Sequence, residues 1–143
     1  MKLEKIEMEY PYFDKVKEGE EVFGLIFGHG VVATAFGAGH YTFEVLYDNG
    51  YTVPYTDEGI PGWSNKVGGQ TAFYKDDIDL MDLDFSPTEE VLTPKKIIKL
   101  KIKKKLEIKC PSGIWQEITN CPSYVIEEYL ENAKFHLFRK KIK

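Results

Sequence analysis

Cysteine is scarce in this 143-residue chain, with Cys110 and Cys121 as the whole complement. Two are too few for a disulfide scaffold or a cysteine-rich zinc site, so both read as reduced packing residues. Histidine is nearly as rare, at His29, His40 and His136, and no HxH, HExxH or CxxC spacing gathers ligands. The stretch GLIFGHG has neither of the glycine spacings that wrap phosphate at a helix start. The acidic string from Asp76 to Asp84 lacks the turn glycine and closing glutamate of a calcium loop. The expectation is a protein with no catalytic constellation, no metal and no cofactor. No apolar run approaches the roughly 20 residues of a membrane span, and the opening MKLEKIEMEY has no apolar stretch of the signal-peptide kind. A cytosolic chain without a membrane partner is expected.

Apolar and aromatic mass is plentiful: 43% of the residues are hydrophobic and 14% aromatic. A chain of about 150 residues buries roughly two-thirds of the surface it exposes unfolded, enough for a self-sufficient core. The net charge of −4 is too modest for wholesale binding to nucleic acid or an anionic membrane, yet it conceals an asymmetry. Residues 1–93 carry 6 lysines and no arginine against 18 carboxylates, a balance of −12. Residues 94–143 carry 12 lysines and Arg139 against 5 glutamates, a balance of +8. Opposite charge either docks the two segments on each other or turns one charged face to a partner.

From Glu21 to Tyr55, short alternating runs of Val, Phe, Tyr and Thr are cut by glycines at a density that no ordinary helix survives. Phe43, Val45 and Tyr47 share a face, and Asp48-Asn49-Gly50 supplies a tight hairpin turn. Tyr51, Val53 and Tyr55 continue the return strand, which Pro54 places at an edge. GIPGWSNKVGGQ is a glycine-rich loop, and TAFYKDDIDLMDLDF reads as a last strand followed by an acidic turn. In IIKLKIKKKLEIKC, Ile98, Leu100, Ile102, Leu106 and Ile108 fall on one face with lysines mostly on the other, which predicts one strand or a pair, with a bulge or turn at Lys104. Pro111-Ser112-Gly113 then turns the chain into the strand IWQEIT. One good helix signal follows, with Ser123 as its cap and Asn132 or Ala133 at its end, and FHLFRKKIK closes the chain as a strand.

The segment GEEVFGLIFGHGVVATAFGAGHYTFEVLYDNGYTVPY resembles the opening of a small SH3-like or Tudor-like barrel. Gly19 to Val22 form its G-x-x-V start, Phe27 to Val32 its glycine-flanked turn, and Val45 to Gly50 its hairpin. Bacterial modules of the CarD type and the C-terminal modules of UvrD-type helicases share this look. Those modules bind other proteins, notably RNA polymerase, so the resemblance implies a protein-binding barrel. GIWQEITNCPSYVIEEYLENAKFHLFRKK resembles the ends of small phage and prophage proteins at Trp115, Asn120, Pro122, Tyr124, Phe138 and Arg139. It departs from them by inserting Cys121 and by a longer helical connection. That likeness implies an accessory protein of phage or prophage origin.

The expected fold is mainly β in an α+β arrangement. An N-terminal segment, 1–17, packs on the barrel through Leu3, Ile6, Met8, Tyr10 and Tyr12; an SH3-like β-barrel spans 18–85; a linker covers 86–95; and a basic unit of hairpin, short helix and strand fills 96–143. The expected function is non-catalytic binding of a bacterial host protein, with inhibition of a defence or nucleic-acid-handling complex in the host cytosol. Its partner face comprises Tyr55, Trp63 and Tyr74 as exposed aromatics beside Asp76, Asp77, Asp79 and Asp82, an acidic row able to imitate a phosphate backbone. Two alternatives stay open. One is nucleic-acid binding by Lys99, Lys101, Lys103, Lys105, Arg139 and Lys140; the other is sequestration of a small nucleotide in an aromatic pocket.

Overall fold

Alternating side chains and the turns between them build a curled antiparallel sheet resembling half a barrel. The structure, a computed structural model, describes residues 11–63, 65–84 and 91–141. Strands β1 (Glu21–Gly24), β2 (Gly28–Ala35), β3 (Phe43–Tyr47), β4 (Thr52–Tyr55) and β5 (Ala72–Tyr74) lie in the order β4-β3-β2-β1-β5. Phe43, Val45 and Tyr47 all point into the core, as their spacing predicts. The β3–β4 turn closes on Gly50 at φ 95°, and Asn49 Oδ1 accepts the Tyr51 amide at 3.0 Å. β4 is an edge strand, the place that tolerates Pro54.

A second sheet, in the order β7-β6-β8, consists of β6 (Leu106–Lys109), β7 (Trp115–Glu117) and β8 (Phe138–Lys140). Its β6–β7 hairpin turns through Pro111-Ser112-Gly113, with Gly113 at φ 92°. Three α-helices lie among the described residues, α1 (Lys75–Leu80), α2 (Pro94–Ile102) and α3 (Ser123–Glu131), with 3₁₀ turns at Phe135–Leu137 and at Ile118–Asn120, the latter ending the expected strand IWQEIT at Glu117. None is long and apolar enough to cross a membrane.

Two stretches expected as non-helical are helices. The acidic segment after β5 coils as α1, with Asp76 and Asp77 in a first turn whose unpaired amides favour carboxylates. The lysine-rich segment expected as a strand forms α2. Thr93 Oγ1 caps it by accepting the Lys96 amide at 3.3 Å, and Pro94 fills the first turn, where its missing N–H costs nothing. Ile97, Ile98 and Leu100 are buried together, a helical arc that alternation at Ile98, Leu100 and Ile102 disguises. Neither longer helix ends on glycine. Lys104 takes φ 59° beyond α2, where its own amide bonds to the Lys101 carbonyl and the Lys105 amide to that of Leu100. Ala133 does the same at φ 58° beyond α3, with Lys134 reaching back to Tyr129. Ser123, expected to cap α3, is its first residue, and Pro122 stands at the cap position. The expected closing strand is shorter, because Phe135–Leu137 forms a 3₁₀ turn before β8 begins at Phe138.

Two clusters make up the core. One lies within the first sheet around Phe13, Val22, Phe43, Val45, Tyr47 and Tyr55. The other joins Leu25, Ile26, Phe73 and Ile78 of the acidic half to Ile97, Leu100, Leu106, Ile108, Leu130 and Phe138 of the basic half. The two halves therefore share apolar packing, and hydrogen bonds between them reinforce it. Lys99 Nζ donates to the Asp79 carbonyl at 2.9 Å in the last turn of α1, where unpaired carbonyls favour a cation, and Lys140 Nζ donates to the Leu83 carbonyl at 2.8 Å. Phe13 belongs to the first-sheet cluster, and Tyr12 packs against it. Leu3, Ile6, Met8 and Tyr10 lie outside the described residues.

Candidate functional site

Antiparallel pairing sets Val22 of β1 opposite Tyr74 of β5. Around that pair, Glu20 and Glu21 at the start of β1, Tyr74 at the end of β5 and Asp76 and Asp77 in the first turn of α1 line one concavity of about 460 Å³. Lys75 also lines it, with its ammonium 2.6 Å from the Asp79 carboxylate. Asp77 accepts the Tyr12 hydroxyl, and that same oxygen accepts the Tyr74 amide at 3.0 Å, so the N-terminal segment braces the cleft floor. Burial, then the Asp77 carboxylate, holds the Tyr12 phenol far above its ordinary range. Burial, reinforced by Glu20, Asp77 and Asp14, pushes Tyr74 up to about 12. Both phenols stay neutral at physiological pH while carboxylates give the cleft its sign.

One wall of the cleft carries a titrating neighbour. His29 Nδ1 lies 2.9 Å from Asp48 and its Nε2 2.8 Å from Glu21. Those hydrogen bonds, Asp48 first and Glu21 next, raise the imidazole above its ordinary value of 6.5. A raised folded value means that its contribution to stability is full below 6.5 and disappears as pH climbs through the raised value. Melting curves between about pH 6 and pH 8.5 should thus fall further for the native chain than for His29→Gln. Parallel curves would show that the two carboxylates do not hold the protonated ring.

An aromatic groove lies elsewhere, between β4, the Phe27 turn and α3. Phe27, Tyr51, Val53, Pro54, Trp63 and Glu131 line about 570 Å³. The Phe27 and Tyr51 rings meet edge to face at 5.4 Å, and Tyr51 is 61% exposed. Gly62 permits the loop to approach β4, because a Cβ there would stand 2.9 Å from Pro54 Cγ. Trp63 is half-buried, and its indole N–H is buried with no acceptor among the described residues, a loss that stable cores avoid.

The expected partner residues are divided between these places. Tyr74, Asp76 and Asp77 share the cleft, and Trp63 belongs to the groove. Tyr55 is no exposed aromatic: it is 1% exposed, stacks on Phe43 at 5.5 Å and shares a hydrogen bond with the Tyr47 hydroxyl. An inward register on β4 puts it there. Asp79 pairs with Lys75, and exposed Asp82 accepts the Asp84 amide at 3.1 Å. The lysine row is dispersed by the helix that replaces its strand. Lys99 is 5% exposed, and Lys101 is half-buried, with burial lowering its affinity for the proton against the pull of Glu127. Lys103 and Lys105 remain exposed after α2. Arg139 reaches Glu107 at 2.7 Å and lies 4.3 Å over the Trp115 ring, while Lys140 is engaged at Leu83.

Glu20, Glu21, Phe27, Tyr51 and Glu131 are site residues that sequence spacing does not single out, since pairing and packing bring them together over long separations. Among the described residues no three His, Cys, Asp or Glu side chains are gathered to hold a metal ion. Burial, then Cys110 beside it, raises the Cys121 thiol, which suits packing rather than nucleophilic chemistry. Compared with known proteins, the chain matches no family model, no curated protein and no solved structure.

Proposed function

We propose that this chain is a non-catalytic binding protein whose acidic cleft engages a basic surface of a bacterial protein, as a small phage-encoded inhibitor of a defence or nucleic-acid-handling complex would. Glu20, Glu21, Asp76 and Asp77, gathered around one concavity with the neutral Tyr74 phenol, carry this reading. Charge of one sign in a concave surface focuses its field and speeds encounter with an oppositely charged partner. The strand order β4-β3-β2-β1-β5 supports the SH3-like reading of residues 18–85, a scaffold on which binding surfaces are built from loops and strand ends. Phage origin is supported by the resemblance of the C-terminal stretch around Trp115, Asn120 and Arg139.

The nucleic-acid alternative has weaker geometric support, because Lys99, Arg139 and Lys140 are occupied within the fold. Nucleotide capture in the groove is disfavoured by the Glu131 carboxylate, which repels phosphate. Affinity capture from a bacterial lysate should recover a stoichiometric protein that rising salt releases. Changing Glu20 and Asp76 to Lys should slow its association by about tenfold or more while leaving the melting temperature within a few degrees. Undiminished association by that variant would refute the cleft as the contact surface.

A further inference from the structure

We propose that the aromatic groove is a second docking site, independent of the acidic cleft, that takes one lysine or arginine side chain carried on an extended segment of a partner protein. Phe27, Tyr51 and Trp63 supply ring faces and edges, and a cation is the polar group that such faces attract. Glu131, brought in by α3 from the basic half, adds a carboxylate to the same lining and has no ion pair among the described residues. Aromatic faces with one unpaired carboxylate are complementary to an organic cation and repel an anion. Val53 and Pro54 provide apolar surface along which the aliphatic stem of Lys or Arg lies while its head meets the rings.

The groove is also open and wider than one side chain fills, which suits a segment laid across it rather than an enclosed small molecule. Its lining comes from both halves of the chain, so it exists only where α3 packs against the first sheet. Tyr51 is the exposed one of the three rings, and its removal leaves the buried core intact.

Capped peptides containing a single arginine provide the test, compared with the citrulline peptide, which keeps the shape and loses the charge. Binding is followed by tryptophan fluorescence and by amide and indole chemical shifts in the full chain. The arginine peptide should saturate with shifts confined to Phe27, Tyr51, Trp63 and their neighbours, and citrulline should bind at least tenfold more weakly. Tyr51→Ala and Glu131→Gln should each weaken the arginine peptide severalfold, and Glu131→Gln should leave citrulline unchanged. The Glu20→Lys, Asp76→Lys variant should bind the peptide as the native chain does. Equal binding of arginine and citrulline, or insensitivity to Glu131→Gln, would overturn the cation assignment. Free argininamide binding as tightly as the peptide would overturn the protein-segment assignment, and loss of binding in the cleft variant would move the site to the cleft.

Discussion

Ile97→Ala should destabilise both sheets together, by about 3–4 kcal/mol, near the upper part of the range for removing a fully buried isoleucine. Ile97 is 0% exposed and belongs to the cluster that spans Leu25, Ile26 and Ile78 on one side and Leu106, Ile108 and Phe138 on the other. The cavity would open in packing common to the halves. For a chain of this length the loss lowers the melting point by roughly 10 °C. Trp63 and Trp115 report separately from the two halves. Denaturation of Trp63→Phe and Trp115→Phe, each with and without Ile97→Ala, should give coincident midpoints that move together. Midpoints that separate, with only the Trp115 signal shifting, would show two units that merely touch.

Gly24→Ala and Gly30→Ala should each cost about 3 kcal/mol through overpacking, but they should respond differently to a second change. A Cβ on Gly24 meets the end of the Tyr47 ring, with Cζ at 2.8 Å and Cε1 at 3.0 Å. A Cβ on Gly30 meets Tyr47 Cδ1 and Val45 Cγ1, both at 2.7 Å, and the Leu46 carbonyl at 3.0 Å. Tyr47→Leu shortens the ring and leaves Val45 and the backbone where they are. Combined with Gly24→Ala it should recover at least 1 kcal/mol relative to additivity; combined with Gly30→Ala it should recover much less. Tyr47→Leu also removes the partner of the buried Tyr55 hydroxyl, a cost common to both cycles that cancels in the comparison. Strict additivity in the Gly24 cycle would mean that the strand relieves the clash by shifting.

The first sheet is largely legible in the sequence because its determinants are local. Alternation at Phe43, Val45 and Tyr47 and the turn at Asp48-Asn49-Gly50 need no distant residue to be understood. The helix at Pro94–Ile102 is less legible although its start is marked by Thr93 and Pro94. Apolar residues at 98, 100, 102, 106 and 108 keep strand spacing through a helix and into β6, and the stop signal is Lys104 where glycine is usual. α1 has only six residues, too few for periodicity to declare itself. Tyr74, Asp76 and Asp77 are legible as a cluster because they are neighbours in the chain, whereas Glu20 and Glu21 reach them only through the β1–β5 pairing. Burial of Tyr55 depends on which face of β4 turns inward, and Tyr51 and Tyr55 follow the same alternation from opposite ends of the solvent boundary. The groove is least legible, since Glu131 lies 80 positions beyond Tyr51 and only packing of α3 joins them.

Because Leu25, Ile26 and Ile78 are covered by residues that follow them in the chain, a ribosome finishes the acidic half well before its apolar lid has been translated. During that interval the emerging polypeptide carries a balance of −12, and mutual repulsion between such intermediates opposes their clumping. The lysine-rich remainder then arrives tethered to its own counter-charge, at an effective concentration that no separate molecule of the same kind matches.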